Sequence, residues 1–427
     1  MSVPLERVFI LNAERRRELS RSAANRRRFS VAFVVFCSIV AALSLIVLGT
    51  LLYDIFAQGT GYIWRSSEGS FGERVSAFFG TWSHFLSSPP RQTASEAGIF
   101  PSMFGTIWVC AVCGLVALPL GVATAIYLEE FKPKQTWLRR VHGFVQLNIT
   151  NLAGVPSVVY GIIGMTIFVS MFQSPGSSQT PVLEFGINGI YDQYESKGLR
   201  MLRVPVDSRD APDTQLVDGM TVYDGQGKAL ELNLIPVGAP IPQDEELKRR
   251  TLVNVAGGPA RSRYIDEAWY YVRIPFGRSV LAGGLTLMLV VLPIVIISAQ
   301  EAIRAVPQAL REAALGMGCT PWQVVRKVTL PASIPGIMTG NILAMSRAIG
   351  EAAPILMIAG VVYIKSAPGN LMDSFTVMPL QIYNWASDSH REFHDLAASG
   401  IIVLLAILLF FNASAVIIRQ KFQKNLG

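Results

Sequence analysis

Long apolar stretches constrain this chain more than any other feature of its sequence. Each of them reaches the roughly 20 residues that a helix needs to cross a bilayer. Hydrophobic residues make up 51% of the chain and charged residues only 16%, which is unlike the composition of a soluble domain. The sequence therefore predicts an all-α polytopic membrane protein with six transmembrane helices. They are placed at about 31–52, 103–128, 145–172, 278–299, 336–362 and 396–418.

Lysine and arginine outside these stretches predict the orientation of the chain. Residues 1–30 contain eight arginines, whereas the loops 53–102 and 363–395 contain three and two basic residues. Basic residues near span ends stay in the cytoplasm. We therefore expect a cytoplasmic segment 1–30, an extracytoplasmic loop 53–102 and a cytoplasmic tail 419–427. The first stretch is longer than the roughly 7–15 residues of a signal-peptide apolar region, so we expect a retained transmembrane helix.

Residues 173–273 differ in composition from the rest of the chain. They contain 14 acidic and 11 basic residues and no stretch of spanning length. Short apolar runs alternate with turn signals such as Asp-Gly and Gly-Gln-Gly, which is typical of β-hairpins. We expect a small β-rich extracytoplasmic insertion between helices 2–3, in 103–172, and helices 4–6, in 274–418. It is either a regulatory or partner-docking domain or a loop elaboration without chemistry.

An amphipathic segment with the sequence REAALGMGCTPWQVVRKVTLP, residues 311–331, lies between the fourth and fifth stretches. Its pattern predicts a helix over about 305–318, ended by glycines, among which Gly318 is suited to a left-handed turn. Thr320 is the expected N-cap of a second short helix, with Pro321 in its first turn. The sequence therefore predicts two short helices joined by a tight turn, on the cytoplasmic side.

Three consecutive residues of this hairpin suit contact with a soluble protein. Ala313 and Ala314 leave a shallow surface on which a partner can sit closely, and Glu312 places a charge at its rim. A rigid hairpin of this kind can transmit movement to the two flanking spans. An ordinary amphipathic hairpin at the membrane interface explains the same polarity equally well.

Two ionisable residues, Arg347 and Glu351, lie inside the fifth stretch. Counted from Gly336 at 1.5 Å per residue, Arg347 lies about 16 Å into the membrane, near its midplane. An uncompensated arginine there costs at least about 3 kcal/mol, and Glu351, one helical turn away, can pair with it. A guanidinium also suits an oxyanion, because its donors match two oxygens. From spacing alone, an anion contact and a structural salt bridge are equally good interpretations.

Small residues recur on the same predicted helix and favour the close approach of another helix. Together with the ion pair, this ridge predicts a helix interface, and we expect that interface to be the seam between two subunits. It consists of Gly340, Ala344, Ala348 and Ala352.

The spacing Glu312-Ala313-Ala314, Gly318 and Leu330-Pro331 resembles the EAA loop of ABC-importer permeases, whose coupling helices dock on ATPase subunits. Other segments resemble the PstA family of phosphate permeases, which has a MetI-like core. These are NLAGVPSVVYGIIG at 151–164, FGRSVLAGGLTLMLVVLPIVI at 276–296, EAIRAVPQALREAALGMG at 301–318 and SRAIGEAAPIL at 346–356. The PstC family is similar in the first three, and the last segment favours PstA. The resemblance covers roughly 100–172 and 276–418.

The resemblance implies a permease subunit for inorganic phosphate in a bacterial inner membrane, with both termini cytoplasmic. It implies as partners a PstC-type permease in a heterodimer, two ATP-binding subunits, an extracytoplasmic phosphate-binding protein and membrane lipid. Because the family's matching Arg and Glu are associated with transport, Arg347 and Glu351 become candidate substrate-pathway residues. The residues implied to couple to the ATPase lie in the EAA loop 300–335 and are Glu312, Ala313, Ala314, Gly318, Leu330 and Pro331.

The sequence differs from the family at two places, and two other functions are alternatives to this interpretation. Ala352 stands where the family usually has threonine, and the insertion 173–273 is much larger than the loop expected there. A permease for sulphate, molybdate or phosphonate would have the same features. A membrane sensor, whose insertion binds a signal and whose hairpin engages a signalling protein, is a more distant alternative.

We expect no catalytic residue, cofactor, metal site or nucleic-acid partner for this chain. The sequence contains no Gly-x-x-x-x-Gly-Lys-Ser/Thr loop, so ATP hydrolysis is expected on another subunit. His390 and His394 have a spacing that metals use, but without a third soft ligand nearby a solvated loop is favoured. Cys110 and Cys113 lie inside the second apolar stretch and are expected to be packed there as small apolar side chains.

Overall fold

A computed structural model describes residues 5–65, 71–133, 135–173, 180–196, 199–211, 214–255, 258–359 and 364–424. The helices in the first half of the chain are α1 (Leu5–Arg65), α2 (Phe71–Ser87), α3 (Phe100–Glu130), α4 (Thr136–Leu152) and α5 (Ser157–Gly164). The strands are β1 (Leu183–Ser196), β2 (Leu199–Val206), β3 (Thr221–Tyr223), β4 (Ala229–Glu231), β5 (Asn233–Pro236), β6 (Thr251–Asn254) and β7 (Ala260–Ile274), with α6 (Glu245–Arg249) before β6. The remaining helices are α7 (Val280–Arg304), α8 (Gln308–Gly316), α9 (Pro321–Val324), α10 (Leu330–Gly350), α11 (Ala353–Ala359), α12 (Met378–Ala386) and α13 (Arg391–Lys424).

The chain forms two compact units. One combines Met1–Trp82 with Trp385–Val403, and the other combines Ser83–Asn384 with Leu404–Gly427. In the first unit, α1 packs on the beginning of α13 at Gly59, whose carbonyl accepts a hydrogen bond from Ser399 Oγ at 3.0 Å. The second unit contains α3 to α11, the insertion and every candidate site residue.

Among the described residues, five helices are long and apolar enough to cross a membrane. A sixth span is obtained if the bent pair Thr136–Leu152 and Ser157–Val169 counts as one. The predicted polytopic helical protein with a β-rich insertion is therefore confirmed. The five single spans are Ser30–Thr60, Phe100–Glu130, Val280–Arg304, Pro321–Gly350 and Arg391–Ile417.

The predicted span over 145–172 is a bent pair of helices and not a single straight one. The chain bends by 108° between α4 and α5, and α5 continues as a π-helical turn over Met165–Val169. Pro156 precedes α5, has no backbone N–H and would clash with the carbonyl of Leu152 in a straight helix. The hydroxyl of Tyr160 donates to that carbonyl at 2.7 Å, so the break leaves it satisfied.

The predicted helix 31–52 and loop 53–102 also differ from the structure. A single helix, α1, extends from Leu5 to Arg65, and α2 follows inside the predicted loop. No proline occurs between Pro4 and Pro89, and the residues that flank the apolar stretch are good helix formers. Hydropathy therefore located the apolar part of a longer helix and missed its polar extensions.

Close packing of α3, α7 and α10 forms the core of the second unit. A Cβ atom on Gly121 of α3 would lie 2.5 Å from Cγ1 of Val295, so the two helices touch at that point. Cys110 and Cys113 are both buried with free thiols, and Cys113 is part of the apolar core, as predicted. Further core residues from the three helices are Val109, Ala117, Leu287, Met288, Val291, Ala344 and Ala348.

The insertion folds mainly as a five-stranded antiparallel sheet in the order β4-β3-β2-β1-β7. The Asp-Gly and Gly-Gln-Gly signals predicted the β3–β4 hairpin correctly: Asp224 Oδ1 accepts backbone hydrogen bonds from Gln226 and Lys228, both at 2.9 Å. A second, parallel pair consists of β5 and β6. The insertion has its own apolar core around Leu202, Val222 and Leu252.

A buried carboxylate links several segments of the insertion through hydrogen bonds. Asp192 is 0% exposed and lies in β1. Its Oδ1 accepts from Arg263 Nε at 2.9 Å, and its Oδ2 accepts from Arg261 Nη2 at 3.0 Å and from the Thr214 hydroxyl at 3.2 Å. Burial alone would raise the pKa of Asp192, but the hydrogen bond and charge of Arg263 and the charge of Arg261 outweigh it and lower this pKa.

Substitution of Asp192 by asparagine is expected to loosen the insertion. Removal of one partner of a buried ion pair costs about 3–5 kcal/mol, because the remaining charges lose their compensation. Tryptic cleavage within the insertion should become faster in membranes that contain D192N, while the exposed control D207N should match the wild type. Equal cleavage rates for D192N and D207N would contradict this role.

The lowered pKa of Asp192 also makes the stability of the insertion depend on pH. The ionised carboxylate stabilises the fold fully above the ordinary aspartate pKa, and this stabilisation is lost as pH falls through the lowered pKa.

Candidate functional site

The fifth membrane helix breaks beside the predicted ion pair. α10 ends at Gly350, Glu351 is extended with φ −78° and ψ 102°, and α11 starts at Ala353. The predicted span over 336–362 is therefore interrupted after Gly350, and its last residues, 360–362, lie outside the described residues. The ring of Pro354 is incompatible with the carbonyl four positions earlier, at Gly350, which explains the break.

Arg347 and Glu351 form the ion pair that their spacing predicts. Arg347 Nε donates to Glu351 Oε1 at 2.9 Å across the last turn of α10. The two side chains differ in exposure, with 52% of Arg347 and 16% of Glu351 accessible. The Arg347 side chain thus points away from the core, and Glu351, which is closer to the core, holds it through the hydrogen bond.

The ridge of small residues, which was expected at the seam between two subunits, packs on α7 within this chain. A Cβ on Gly340 would lie 2.3 Å from Ser298 Oγ, and Ala344 and Ala348 are buried in the core. Gly336 continues the contact, since a Cβ there would lie 2.7 Å from Cβ of Ala302. Small side chains permit close helix approach, and sequence alone does not specify which helix approaches.

The opposite face of α10 is exposed in this chain. Thr339, Leu343 and Arg347 follow one another at helical spacing on that face, and Leu343 is 69% exposed. The exposed face belongs to a helix of spanning length, Pro321–Gly350. An arginine at that depth requires water, a charge or another protein beside it.

Glu351 also borders a small cavity on the inner side of α10. The cavity measures about 10 Å³, which is close to the space that one water molecule needs. Thr106 of α3 contributes a hydroxyl, which already accepts from the Met378 backbone N–H at 2.9 Å. Glu351 therefore lies between the outward guanidinium and an otherwise apolar interior, lined by Val109, Cys110, Leu287, Ala348, Ile349, Ile355 and Val377.

The second candidate site is the hairpin 308–331 at the other end of α10. α8 ends in a Schellman motif: Cys319 N donates to Ala314 O at 3.1 Å, and Gly318 N donates to Leu315 O at 2.9 Å. Gly318 has φ +83°, as predicted from the turn. Thr320 caps the next helix in a capping box with Gln323, which confirms the predicted N-cap.

Substitution of Gly318 by alanine is expected to strain this turn. A residue with a Cβ atom in the left-handed conformation costs about 1–2 kcal/mol. Hydrogen exchange of the hairpin amides in the G318A variant should then accelerate by roughly 5- to 30-fold. The matched control is G316A, because Gly316 is helical and a Cβ there would meet no atom within 4 Å. Equal exchange in the two variants would contradict the need for glycine at 318.

The second helix of the hairpin, which was expected to be short, is not a separate element. It continues from α9 through a π-helical turn, Val325–Thr329, directly into α10. Pro331 is tolerated because it lies in the first turn of α10. Leu330 packs with Ile303 and Ile337 and thereby fixes the hairpin to α7.

The exposed surface of the hairpin includes two of the three predicted EAA residues. Glu312 and Ala313 are exposed, whereas Ala314 is 2% exposed and packs inward. The residues predicted for ATPase coupling thus divide into a surface pair, a buried alanine, the turn glycine and the Leu330-Pro331 junction. The hairpin thus presents an exposed strip on a base whose turn is closed by hydrogen bonds.

Two ion pairs that the sequence analysis missed fix this base to α3. Arg311 of α8 pairs with Glu130 at 3.1 Å and donates to the carbonyl of Ile303 at 2.6 Å. Arg304, at the end of α7, pairs with Glu129, which is only 5% exposed. In the sequence, these arginines indicate only on which side of the membrane their segment lies. The consecutive acidic residues at the end of an apolar stretch were the signal for their pairing.

Comparisons with known proteins agree with this geometry. The family model for binding-protein-dependent transport system inner membrane components matches residues 117–426. The chain is 24% identical to the phosphate transport system permease protein PstC of Mesorhizobium japonicum over 348 residues, covering 79% of this chain and 81% of that one. It is 36% identical to PstA of Xylella fastidiosa over 146 residues, covering 34% of this chain and 50% of that relative.

A third relative is the probable ABC transporter permease protein YqgH of Bacillus subtilis, 24% identical over 325 residues, with 75% of this chain and 72% of that one covered. The chain spans about half the length of the PstA relative that it matches. Both candidate sites lie within the region of the family match.

The fold and the comparisons define a multi-pass inner-membrane permease component of an ABC importer. The chain belongs to the family of binding-protein-dependent transport system inner membrane components, since the match extends over more than half of its length. This family supplies the membrane component of its transporters. The predicted resemblance to PstA and PstC permeases is confirmed.

Proposed function

We propose that this chain is the PstA-type permease subunit of an importer for inorganic phosphate. It forms the translocation pathway with a PstC-type permease, receives the anion from an extracytoplasmic phosphate-binding protein, and couples to two ATP-binding subunits. The observation that supports this proposal most directly is the exposure of Arg347. Its side chain is 52% exposed on a helix of spanning length, beside a break in that helix. The relatives named PstA and PstC support the choice of phosphate.

The exposure of Arg347 supports a role in the pathway more than a purely structural one. A salt bridge that only held helices together would be enclosed between them, whereas this guanidinium points away from the packed face of α10. Its Nε is held by Glu351, and the remaining N–H groups can donate to two oxygens of phosphate. Arg347 therefore faces the seam with the second permease, where the anion passes.

Glu351 keeps the affinity for the anion low enough for release. The carboxylate orients the guanidinium through the 2.9 Å hydrogen bond and neutralises part of its charge. A transport pathway requires binding that is weak enough for the substrate to leave again. In this proposal Glu351 acts on the anion through Arg347.

The hairpin transmits ATP-driven movement. Glu312 and Ala313 form its exposed strip, and this strip docks on the ATPase, while Ala314, Gly318, Leu330 and Pro331 hold the strip to α10. In this proposal the hairpin and both termini lie in the cytoplasm, and the insertion lies on the opposite side. ATP binding then moves the hairpin and, through α10, the region around Arg347.

Uptake of radiolabelled phosphate tests this function. Cells that lack this gene and have no redundant system should lose phosphate uptake, and the wild-type gene should restore it. An excess of sulphate or molybdate should not compete. Normal phosphate uptake in the deleted cells would overturn the choice of phosphate.

A permease for another oxyanion is the second candidate, because one arginine–glutamate pair recognises charge and oxygen geometry and does not define the central atom. Competition by sulphate, molybdate or phosphonate in the same assay would favour it. Co-purification distinguishes the two permease functions from a sensor function. An ATPase that co-purifies with the chain supports transport, and a kinase or phosphatase alone supports sensing.

A further inference from the structure

An exposed apolar patch lies at the base of the insertion. It is contributed by the start of β1 and the end of β7, where two neighbouring strands each lead toward a membrane helix. We call it the aromatic foot. It consists of Val182, 62% exposed, Leu183, 62%, Phe185, 69%, Trp269, 65%, and Tyr270, 42%.

The alternation of side chains along β1 separates Leu183 and Phe185 of the aromatic foot from a charged face. Leu183 pairs with Ile274, and Phe185 pairs with Val272, so apolar residues stand together on one side. Between them, Glu184 turns to the other side and pairs with Arg209 at 2.6 Å. Ring contacts join the three aromatic residues: the centroids of Phe185 and Tyr270 are 6.1 Å apart, and those of Tyr270 and Trp269 are 5.5 Å apart. The patch is thus an ordered apolar surface.

Two backbone hydrogen bonds fix the height of the aromatic foot relative to the membrane. Leu371 N donates to the carbonyl of Trp269 at 3.3 Å, and Leu281 N donates to the carbonyl of Leu371 at 2.9 Å. Leu281 lies in the first turn of α7, a helix of spanning length. A single residue, Leu371, therefore connects Trp269 to the first turn of a transmembrane helix through backbone hydrogen bonds.

The composition of the aromatic foot suits that height. Tryptophan and tyrosine are enriched where the hydrocarbon core meets the headgroups, because their rings are amphipathic. An ordered apolar surface left in water would be costly and prone to association. At the level of the last helical turn, the lipid itself is the nearest apolar medium.

We propose that the aromatic foot lies in the headgroup region of the leaflet on the insertion's side, so that the insertion is an interfacial domain supported by lipid. Phe185 and Leu183 enter the upper acyl region, and the rings of Trp269 and Tyr270 remain at the headgroups. The insertion is thereby fixed in height above the bilayer. This inference depends on the spanning helices and is independent of the transported substrate.

Site-directed spin labelling tests the aromatic foot. Single cysteines at Phe185 and Trp269 are introduced by F185C and W269C into a full-length chain whose four native cysteines are replaced by alanine. The protein, with the subunits that accompany it, is reconstituted in vesicles of phosphatidylethanolamine and phosphatidylglycerol. Power saturation then measures collisions with oxygen, which partitions into lipid, and with a water-soluble nickel chelate. The matched control is V217C, which labels an exposed apolar site of the insertion outside the foot.

The two reagents distinguish lipid, water and protein around each label. The oxygen-to-nickel collision ratio should be several-fold higher at positions 185 and 269 than at position 217. A ratio at the foot equal to that at position 217 would overturn the proposal in favour of a solvated patch. Suppressed collisions with both reagents at 185 and 269 would also overturn it and would indicate that another protein chain covers the patch.

Discussion

Replacement of Arg347 by alanine is expected to abolish most phosphate uptake while the transporter remains assembled. A hydrogen bond to a charged group contributes about 1.5–3 kcal/mol, so the loss of one guanidinium contact with the anion reduces uptake by roughly 10- to 150-fold. The core should tolerate the change, because Arg347 is half exposed and its one described bond is to Glu351. The measurement is initial uptake of radiolabelled phosphate, combined with co-purification of the partner subunits.

Two variants at the same helix face control this result. L343A truncates an exposed side chain one turn before Arg347 and should leave uptake near the wild-type rate. R347K retains the charge but loses the planar fork and should fall between wild type and R347A. Normal uptake by R347A would make the ion pair purely structural. Loss of the partner subunits from R347A would instead mean that the residue is required for assembly.

Substitution of Glu312 by lysine is expected to uncouple the permease from its ATPase. Glu312 is exposed at the rim of the strip that is proposed to dock. Reversal of a charge at an interface costs several kcal/mol where it meets a like charge, which is about 100-fold or more in affinity. Uptake should fall to a similar extent, and less ATPase should co-purify with the permease.

The control for Glu312 is a charge reversal elsewhere on the same side of the membrane. E301K changes an exposed glutamate near the end of α7, outside the strip, and should co-purify with the ATPase as the wild type does. E312Q removes the charge without reversing it and should have a smaller effect. Unchanged co-purification and uptake in E312K would count against the assignment of the EAA loop.

Local chemistry made part of both sites predictable. Gly318, Thr320 and the Arg347–Glu351 pair depend on neighbours within four residues, and each has the conformation or contact that was predicted. The bends at Pro156 and Pro354 have an equally local cause. They were missed because prolines inside apolar stretches are often tolerated in membranes, where neighbouring helices satisfy the freed backbone groups.

Contacts between distant parts of the chain were beyond sequence reasoning. The small residues Gly340 and Ala344 predicted close helix packing, but only the fold shows that the helix packed against them is α7 of the same chain. The pairing of Arg304 with Glu129 joins residues 175 positions apart. Periodicity defines which face of a helix is packed, and it does not define what packs there.

The contacts between α7 and α10 limit how these two helices can move. A Cβ on Gly336 would lie 2.7 Å from Cβ of Ala302, and one on Gly340 would lie 2.3 Å from Ser298 Oγ, so α10 touches α7 at successive turns. Leu330 and Ile303 extend this contact toward the hairpin. A tilt of α10 about any one of these points would open the others, and close-packed interiors transmit strain. We therefore expect α7 and α10 to move as one body, so that in the proposed transport cycle a displacement of the hairpin carries Arg347 in the same direction.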